Sequence, residues 1–541
     1  MKDPNEGSRN VSSLGPAIRA AYRAGQEDEA LEPIVKVNAF GEPIGRIGSG
    51  DTVIFYDIRG EREIEISQSL TDPDFSRFPV EKNLNLHFVT MIEYDPSLRA
   101  EAAFVRGGKV TNTLAEVLSS AGFRLAKIAE SEKAAHIGFF MNGKSDALFP
   151  GEERIIVPSP EGIFNYDQKP EMSAASVADE ILRKIEDPRF PAVIANFANV
   201  DVVGHIENRL AVARAVETVD AQLGRVVSEA ERRRVTLIVT ADHGTVEEWL
   251  YPDGQVNTGH TKNPVPFVLA DFSLDRPAAI DLRPSGELAD VAPTVLDLLG
   301  LPAPVEMTGR SLLVERPDRL AKRGKIVLLI LDGWGMRSDR AGNLIAQSRT
   351  PAFDALWSRF PGALLESSGE AVGMPPGTVG NSEAGHLHLG AGRRILLDRV
   401  RIDRAVEDRS FFSNAVFLRA LRTAGEGRRR LHLMGIISHY SSHGTIEHLF
   451  ALLKLAKDAG LSDVYVHGFI GRRGETPESG ALYVEKVEEM CRALGAGEVV
   501  TVLGRYWSLD REGNWDRVEK AYRALVYGEG TPAGNFSDRN S

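Results

Sequence analysis

A serine stands between a glycine-rich loop and a predicted helix start, in the segment Gly380-Asn381-Ser382-Glu383-Ala384-Gly385-His386. The preceding residues 373–377, Gly-Met-Pro-Pro-Gly, are too rich in Gly and Pro for regular structure. Two interpretations of Ser382 are open: a helix N-cap, which Ser favours, or a nucleophile at the positive end of a helix, where an anion is stabilised. The second requires a base or a metal, because an unassisted serine is a weak nucleophile.

Three apolar runs of the sequence end in side chains that can bind metal ions. Ligands of open α/β sheets bind beyond the carboxyl ends of the strands, and the runs that end at Phe197, Thr240 and Leu331 lead into such residues. A lone Asp after a strand is usually a turn or helix cap, but three such ends in one chain are hard to assign to turn chemistry. The candidate ligands are Asp201, His205, Asp242, His243, His260 and Asp332.

The ligand types restrict the metal and the reaction. Mixed carboxylate and imidazole ligands suit Mn²⁺ or Zn²⁺, and oxygen-rich sites favour Mn²⁺ or Mg²⁺. Two such ions about 3.5–4 Å apart would deprotonate a serine and stabilise a transferring phosphoryl group. The pattern therefore predicts a phosphoryl-transfer site around Ser382.

The elements that must position these residues alternate between strand-like and helix-like segments, which predicts an α/β fold. Continuous apolar runs at 191–197, 235–240 and 325–331 are typical of strands buried on both faces of a parallel sheet. Apolar spacing between 211 and 226 predicts a long amphipathic helix. The alternation repeats later in the chain, with predicted strands near 431–437, 464–470 and 499–503 and predicted helices near 446–459, 481–495 and 516–526.

Composition excludes several classes of protein. A length of 541 residues favours two or three domains, and the single cysteine, Cys491, excludes an internal disulfide framework and is expected to be a small buried hydrophobe on a helix. The net charge of −12 argues against nucleic-acid and membrane-surface partners. Residues 1–14 are expected to be a disordered tail without a signal-peptide core, and no apolar run is long enough for a bilayer, so a cytoplasmic enzyme is expected.

Four motifs together resemble the cofactor-independent (2,3-bisphosphoglycerate-independent) phosphoglycerate mutases, members of the alkaline phosphatase superfamily. The likeness covers nearly the whole chain. It rests on the serine segment 380–386 and on Asp332-Gly333-Trp334-Gly335, Asn196-Phe197-Ala198-Asn199-Val200-Asp201-Val202-Val203-Gly204-His205 and Thr240-Ala241-Asp242-His243-Gly244.

The order of the motifs differs from the family's order. In the family the Asp-Gly-x-Gly strand opens the protein and the Asp-His-Gly segment lies near its end, whereas here Asp332 follows Asp242. The chain therefore resembles a circular permutant, which is physically tolerable where termini lie close together on a surface. The resemblance implies two α/β domains: an alkaline-phosphatase-like metal and nucleophile domain at 107–398, with a charged linker at 313–324, and a transferase-like substrate domain split between 15–106 and 399–541.

The resemblance also implies roles for individual residues. Asp201, His205 and His260 would hold one Mn²⁺ ion, with Mg²⁺, Co²⁺ or Zn²⁺ as alternatives. Asp332, Ser382, Asp242 and His243 would hold the other, with Ser382 Oγ as nucleophile. Lys133 matches a family lysine that neutralises phosphoryl charge. The residues that match substrate-binding positions are Arg59, Arg62, Arg473, Arg505, Arg511 and His443.

The substrate residues depart from the family pattern in two loops. Residues 471–477 read Gly-Arg-Arg-Gly-Glu-Thr-Pro, so either the family's substrate-contacting aspartate becomes Gly474 or, with one inserted residue, Glu475 supplies the carboxylate. The second alignment keeps Thr-Pro in register and is favoured, although the longer Glu side chain would change the geometry of proton transfer. Residues 439–445 are also altered around His443.

The resulting expectation is an isomerase that interconverts 3-phosphoglycerate and 2-phosphoglycerate through phosphorylated Ser382, with His443 and Glu475 handling the proton. The altered loops leave open a metal-dependent phosphohydrolase, or a mutase of a related phosphorylated or phosphonate acid. A third possibility, a metal-binding relic without activity, is weak because every expected ligand is present. The expected partner is a small phosphorylated carboxylic acid, and a monomer is expected.

Overall fold

The chain folds into two compact units. In the computed structural model, one consists of Met1–Arg106 together with Asp398–Ser541, and the other of Gly107–Leu397. They are called here the split unit and the continuous unit. The structure describes residues 13–105, 110–163, 165–251, 253–273, 280–314, 324–426, 429–438, 443–471 and 478–534.

The continuous unit is built on an eight-stranded sheet of order β10-β12-β9-β8-β11-β7-β5-β6 among the described residues. Its strands are β5 (Leu125–Glu130), β6 (Glu152–Val157), β7 (Ala192–Phe197), β8 (Thr236–Thr240), β9 (Val265–Asp271), β10 (Ser285–Glu287), β11 (Ile326–Leu331) and β12 (Gly362–Glu366). Its helices are α3 (Leu114–Ser120), α4 (Ala174–Glu186), α5 (Asn199–Gly204), α6 (Arg209–Arg232), α7 (Val291–Leu298), α8 (Leu344–Gln347), α9 (Pro351–Arg359) and α10 (Ser382–Ala391).

The split unit is built on a second eight-stranded sheet, of order β16-β1-β15-β14-β13-β2-β3-β4 in the part of the chain that the structure describes. Its strands are β1 (Ile34–Lys36), β2 (Thr52–Phe55), β3 (His87–Ile92), β4 (Glu101–Phe104), β13 (Leu431–Ile436), β14 (Val464–Ile470), β15 (Glu498–Gly504) and β16 (Thr531–Ala533). Its helices are α1 (Gly15–Arg23), α2 (Ile64–Thr71), α11 (Asp398–Glu407), α12 (Ala415–Gly425), α13 (Ile446–Asp458), α14 (Gly480–Leu494), α15 (Arg505–Ser508) and α16 (Trp515–Val526).

The predicted α/β fold is confirmed, and the three continuous apolar runs are the central strands of one sheet. Every residue of β7, β8 and β11 is buried, and β11 runs parallel to both neighbours. The sheet is not parallel throughout, because β9 is antiparallel to β8 and to β12. The predicted long helix is α6, which buries Val212, Val216 and Val219 on one face, as its period requires.

Two predicted boundaries are wrong by a few residues. Leu14, placed in a disordered tail, is fully buried, and its backbone N–H donates to Glu488 Oε1 at 2.8 Å. Burial of the apolar Leu14 side chain stabilises the fold although the preceding residues are polar. Residues 1–12 lie outside the described residues. Leu313, which was placed in the charged linker, is buried and forms an isolated antiparallel β-bridge with Leu282. Residues 315–323 lie outside the described residues.

One expectation from composition, the burial of the single cysteine, is confirmed. Cys491 lies on α14 and is buried, and burial raises the pKa of its thiol to about 12, as expected of an inert packing residue. No helix in the described ranges is long and apolar enough to cross a membrane.

The burial of Leu14 makes its packing testable. Leu14→Ala should lower the free energy of unfolding of the split unit by about 2–5 kcal/mol, since a buried Leu loses its transfer energy and leaves a cavity. The matched control is Leu482→Ala, whose side chain is 56% exposed and belongs to the same unit; a change within about 0.5 kcal/mol is expected. Urea denaturation measures both. Equal effects would contradict the placement of Leu14 in the core.

Candidate metal centre and nucleophile

Neighbouring parallel strands bring the candidate ligands to one edge of the continuous unit's sheet. Asp242 follows β8, Asp332 follows β11 and Asp201 follows β7, and these strands are adjacent in the order β8-β11-β7. Lys133 follows β5, the next strand along. The carboxyl ends of parallel strands meet at the same edge, so residues far apart in sequence converge there.

Ser382 is the first residue of α10, not its N-cap. Asn381 is the cap, since its side-chain Oδ1 accepts from the backbone N–H of Ala384 at 2.8 Å. The hydroxyl of Ser382 lies instead 2.8 Å from Lys133 Nζ and 2.9 Å from His243 Nε2. The N-cap interpretation of Ser382 is therefore wrong, and its hydroxyl points into the cluster of candidate ligands.

The ammonium group of Lys133 holds the carboxylates together. Its Nζ lies 2.6 Å from Asp201 Oδ2 and 2.7 Å from Asp332 Oδ1. Burial opposes the charge of this lysine, yet Asp332, Asp201 and Asp242 keep its pKa above the usual value. Burial would likewise raise the pKa of Asp201, but Lys133, with hydrogen bonds from His205 and His260, holds it well below its usual range.

Three acceptor atoms face one another at the outer part of the cluster. His205 Nδ1 donates to Thr258 O at 2.7 Å and His260 Nδ1 donates to Gly380 O at 2.8 Å, so a neutral ring presents a lone pair at Nε2 in each case. These two Nε2 atoms are 3.2 Å apart. Asp201 Oδ1 lies 3.1 Å from His260 Nε2 and 3.2 Å from His205 Nε2. Such a convergence of lone pairs needs a proton or a cation at its centre.

Two glycines are required by the close packing of this edge. Gly333, directly after Asp332, has φ of +81°, and a Cβ there would stand 2.8 Å from the backbone nitrogen of Asp201. A Cβ on Gly385 of α10 would stand 2.6 Å from the carbonyl oxygen of Asp242. Any side chain at these positions would push α10 or the Asp332 turn away from the ligands.

Comparison with protein families agrees with this geometry. A family model described as the metalloenzyme superfamily matches residues 21–303, more than half of the chain. The chain belongs to the metalloenzyme superfamily. A second model, described as the N-terminus of the BPG-independent phosphoglycerate mutases, matches residues 402–539.

Individual relatives carry the name that the motifs suggested. The chain is 43% identical over 306 residues to the 2,3-bisphosphoglycerate-independent phosphoglycerate mutase of Moorella thermoacetica, which is 56% of this chain and 58% of the relative. It is 45% identical over 301 residues to that of Thermomicrobium roseum, 55% and 57% of the two chains. The matched stretch thus spans somewhat over half the length of these relatives. A solved structure of Leishmania mexicana phosphoglycerate mutase at low cobalt concentration is 27% identical, covers 51% of this chain and 53% of that chain, and has a TM-score of 0.36, too low to carry an argument.

The ligand set of this metalloenzyme fits divalent metal ions. Among the described residues, candidate groups include Asp201 with His205 and His260, and Asp201 with His243 and Asp332, with ligand atoms within 4.8 Å of one another. Asp242 is completely buried, and among the described residues its Oδ2 accepts no hydrogen bond, although His386 Nδ1 lies 3.3 Å away. A buried carboxylate oxygen without a donor is costly unless a cation faces it.

Three buried residues that support the centre were not predicted from the sequence. Asn196 Nδ2 donates to Asp332 Oδ2 at 2.7 Å and to His386 Nε2 at 3.0 Å, while His386 Nδ1 donates to Ser382 O at 2.9 Å. Both ring nitrogens of His386 are thereby used for positioning. His386 follows Ser382 by four residues, which places the two side chains on one face of the helix. This spacing could have indicated from the sequence that His386 lies near Ser382. Glu247, fully buried, accepts from Thr245 N at 2.9 Å beside the centre, and no sequence motif marked it.

The predicted substrate residues belong to the other unit, and those that the structure describes lie near one another. Burial lowers the pKa of Arg62, and the neighbouring charges of Arg511, Arg505 and Arg59 lower it further. The charge of Arg505 also acts on His443. The remaining two predictions, Arg473 and Glu475, lie outside the described residues.

Removing one metal-facing carboxylate should abolish a metal site without unfolding the protein. Asp201→Asn should weaken binding of Mn²⁺ more than about 100-fold, because loss of even an outer-shell partner costs 10–100-fold. Asp220→Asn is the matched control, since Asp220 is also buried but accepts from the backbone of Ala352 and Phe353. Calorimetric titration with Mn²⁺ measures both. Unchanged affinity in Asp201→Asn would show that the cluster is not the metal site.

Metal affinity should rise with pH. The hydrogen bond with Asp201 raises the pKa of His205, and for His260 the same partner outweighs burial, which lowers its pKa. Both rings therefore stay protonated above their ordinary pKa without metal, and a metal must displace these protons. Calorimetric titration with Mn²⁺ in buffers of different ionisation enthalpy should show that protons are released on binding. More protons should be released at pH 6.5 than at pH 8.5. Absence of proton release would argue against these histidines as ligands.

Proposed function

We propose that this chain is an isomerase that interconverts 3-phosphoglycerate and 2-phosphoglycerate through a phosphorylated Ser382, without added bisphosphoglycerate. The observation that carries the proposal is the position of the Ser382 hydroxyl, 2.8 Å from Lys133 Nζ and 2.9 Å from His243 Nε2 at the end of a parallel sheet. The names of the relatives in Moorella thermoacetica and Thermomicrobium roseum support the choice of substrate.

The proposed cofactors are two Mn²⁺ ions, with Mg²⁺, Co²⁺ or Zn²⁺ as alternatives. Asp201, His205 and His260 would hold one; Asp332, Asp242, His243 and Ser382 would hold the other. When bound, the ions supply positive charge that lowers the pKa of the serine hydroxyl and neutralises phosphoryl oxygens.

The side chains of the continuous unit would act on the phosphoryl group as follows. Ser382 Oγ attacks phosphorus in line with the departing glycerate oxygen, and the O–P bond to the glycerate breaks. The Lys133 ammonium group, fixed by Asp201 and Asp332, faces the charge that develops on the phosphoryl oxygens. The same ammonium stabilises the Ser382 oxyanion when the phosphoryl group leaves again.

The side chains of the split unit would retain the glycerate. Guanidinium groups bind carboxylates and phosphates through paired hydrogen bonds, and the proposed residues are Arg59, Arg62, Arg473, Arg505 and Arg511. His443 would exchange a proton with the two glycerate hydroxyls, and Glu475 is the carboxylate proposed from the sequence. Between the two transfers the glycerate must turn so that its other hydroxyl receives the phosphoryl group.

Retention of the glycerate separates this reaction from hydrolysis. If water reaches phosphorylated Ser382 before the glycerate returns, the same metal centre acts as a phosphohydrolase. The sequence departs from the family pattern at 439–445 and 471–476, in segments that match substrate-binding positions of the family. These departures keep two alternatives: a phosphohydrolase, and a mutase of a related phosphorylated or phosphonate acid.

We also propose that the chain has the permuted order expected from its motifs. The model for the N-terminal part of the BPG-independent mutases matches residues 402–539, after the superfamily match at 21–303. In the sheet, β11, which carries the Asp332 motif, inserts between β8 and β7 although it follows both in the chain.

Product analysis tests the proposed reaction. Purified protein with Mn²⁺ and 3-phosphoglycerate should form 2-phosphoglycerate, detected by phosphorus NMR, without added bisphosphoglycerate. Ser382→Ala should reduce this rate by at least about 10⁴-fold, as for loss of a covalent nucleophile. Asn381→Ala is the control, because it removes the helix cap beside the nucleophile and should reduce stability by about 0.5–2 kcal/mol while keeping turnover.

The other outcomes separate the alternatives. Inorganic phosphate as the sole product would indicate a phosphohydrolase and contradict the mutase. Unchanged 3-phosphoglycerate, with Mn²⁺ bound, would contradict this substrate and leave other phosphorylated or phosphonate acids to be assayed. Full activity of Ser382→Ala would contradict the phosphoserine pathway.

A further inference from the structure

A second cluster of buried titratable groups lies in the split unit, whereas the candidate metal centre belongs to the continuous unit. It consists of Asp57, Glu63 and His443, whose ligand-type atoms lie within 4.8 Å of one another. Asp57 follows β2 and His443 follows β13, two adjacent parallel strands, so the cluster lies at the carboxyl edge of this sheet. Only His443 was predicted as a site residue from the sequence.

A short hydrogen bond joins Glu63 to His443. Glu63 Oε1 lies 2.7 Å from His443 Nδ1, and Glu63 Oε2 accepts from the backbone N–H of Arg62 at 3.0 Å. The backbone of the loop is fixed as well, since Ile58 N donates to His443 O at 2.6 Å. Glu63 is 0% exposed and His443 2% exposed. The carboxylate is therefore built into the fold as the partner of Nδ1.

The charges around this pair are those of the proposed substrate site. Arg505, Arg59 and Arg62 act on His443, and Arg59 and Arg62 also act on Glu63. Three guanidinium groups so near make the cluster a poor site for a further cation, although its residue types could ligate one. They suit an anionic ligand instead.

Among the residues that the structure describes, Asp57 and two tyrosines also lie around the pair. Asp57 Oδ1 accepts from Ile436 N at 2.8 Å, and Tyr94 donates to the carbonyl oxygen of Asp57 at 2.7 Å. Burial, then Glu63, raises the pKa of Asp57 well above its usual range. Burial also raises the pKa of Tyr94 and of Tyr56. All three shifts favour the neutral forms of these groups.

Burial moves the pKa values of the pair so that they cross. It raises the pKa of Glu63 to about 8 and lowers that of His443 to about 4. Near neutral pH, the pair therefore carries one proton between Oε1 and Nδ1. Protonated Glu63 donates to Nδ1, so that Nε2 carries a hydrogen; ionised Glu63 accepts from Nδ1–H, so that Nε2 presents a lone pair.

We propose that Glu63 is a positioning residue that sets the tautomer of His443, so that Nε2 of His443 exchanges the proton with the hydroxyl of an anionic phosphorylated acid held by the surrounding arginines. This rests on the proposed mutase function and deepens it. Glu63 supplies, through His443, the carboxylate of the proton-transfer pair that the sequence comparison assigned to Glu475.

The proton balance of the second transfer follows from this arrangement. The glycerate hydroxyl oxygen bonds to phosphorus and its O–H bond breaks, with the proton passing to Nε2 of His443. The bond between phosphorus and Ser382 Oγ breaks, and its electron pair stays on Oγ. The imidazolium is stabilised by ionised Glu63 at Nδ1. In the first transfer, Nε2–H returns a proton to the departing glycerate oxygen.

Replacement of Glu63 tests the positioning role. In Glu63→Gln, kcat for conversion of 3-phosphoglycerate should fall about 100-fold, because proton transfer of this kind contributes 10²–10⁴-fold, while KM changes less than about threefold. The wild-type rate should fall as pH rises through about 8, because Glu63 then loses the proton that keeps a hydrogen on Nε2 for the first transfer. Glu63→Gln should lose this pH dependence, since its amide does not titrate there. Glu63→Asp, which keeps the charge, should recover this pH dependence with a reduced kcat.

Asp51→Asn is the matched structural control. Asp51 is also a buried carboxylate paired with a histidine, His432, at 3.1 Å, but it precedes β2 and so lies at the amino edge of the same sheet. This variant should lower stability and leave kcat and its pH profile unchanged. The affinity and stoichiometry of Mn²⁺ should match wild type in both variants, since neither residue belongs to the metal centre.

Three outcomes would overturn the inference. Wild-type kcat and pH profile in Glu63→Gln would remove the role of Glu63. An equal loss in Asp51→Asn would reduce the effect to stability. A further bound Mn²⁺ that disappears in Glu63→Gln would make the cluster a metal site.

Failure of the proposed function would be recognised separately. If the wild-type protein leaves 3-phosphoglycerate unchanged, nitrogen NMR of the His443 ring can still test the pairing of Glu63 with His443, because this measurement does not need turnover. A wild-type ring whose nitrogen shifts titrate near pH 8, and no longer do so in Glu63→Gln, supports the pair with a different phosphorylated acid as ligand. Ring shifts unaffected by Glu63→Gln overturn it.

Discussion

The continuous unit depends on a balance of buried like charges at one sheet edge. Three carboxylates follow the carboxyl ends of three adjacent strands and are almost completely buried: Asp201, Asp242 and Asp332. Burial of three carboxylates would be prohibitive without compensation. Lys133 provides one positive charge at 2.6 and 2.7 Å from two of them, and the remaining negative charge and facing imidazole lone pairs suit divalent ions.

The side chains at this edge are held by close packing and by hydrogen bonds. The adjacent parallel strands fix the backbone from which the ligands project, and close-packed glycines such as Gly333 bring these segments together. Asn196 and His386 then use their hydrogen bonds to hold Asp332 and the first turn of α10. If Ser382 is the nucleophile, as proposed, this setting spares it the ordering cost that a mobile side chain would carry at the moment of reaction.

The split unit carries the opposite balance of charge. Its sheet edge gathers guanidinium groups around a buried carboxylate–imidazole pair, Glu63 and His443, at 2.7 Å. An anionic ligand would be attracted to the arginines, while the proton shared by the buried pair remains available because the charged forms of both groups are disfavoured by burial. In the proposed reaction the two units would provide complementary chemistry. Lys133 and the metal ions held by the continuous unit would neutralise phosphoryl charge, and the arginines of the split unit would bind the organic anion.

The sequence by itself determined the fold class, the central strands and the clustering of the candidate metal ligands. Continuous apolar runs such as Ile326–Leu331 can be satisfied only by burial on both faces, and the Asp that follows must then lie at the carboxyl edge. Local pattern could not decide the supporting residues. Nothing in the neighbourhood of Glu63 distinguishes it from a solvated helix-start glutamate, and Leu14 follows a polar segment. Only tertiary structure brings Glu63 to a histidine 380 residues away and Leu14 into a core, because burial and pairing between distant segments are set by packing and not by adjacent residues.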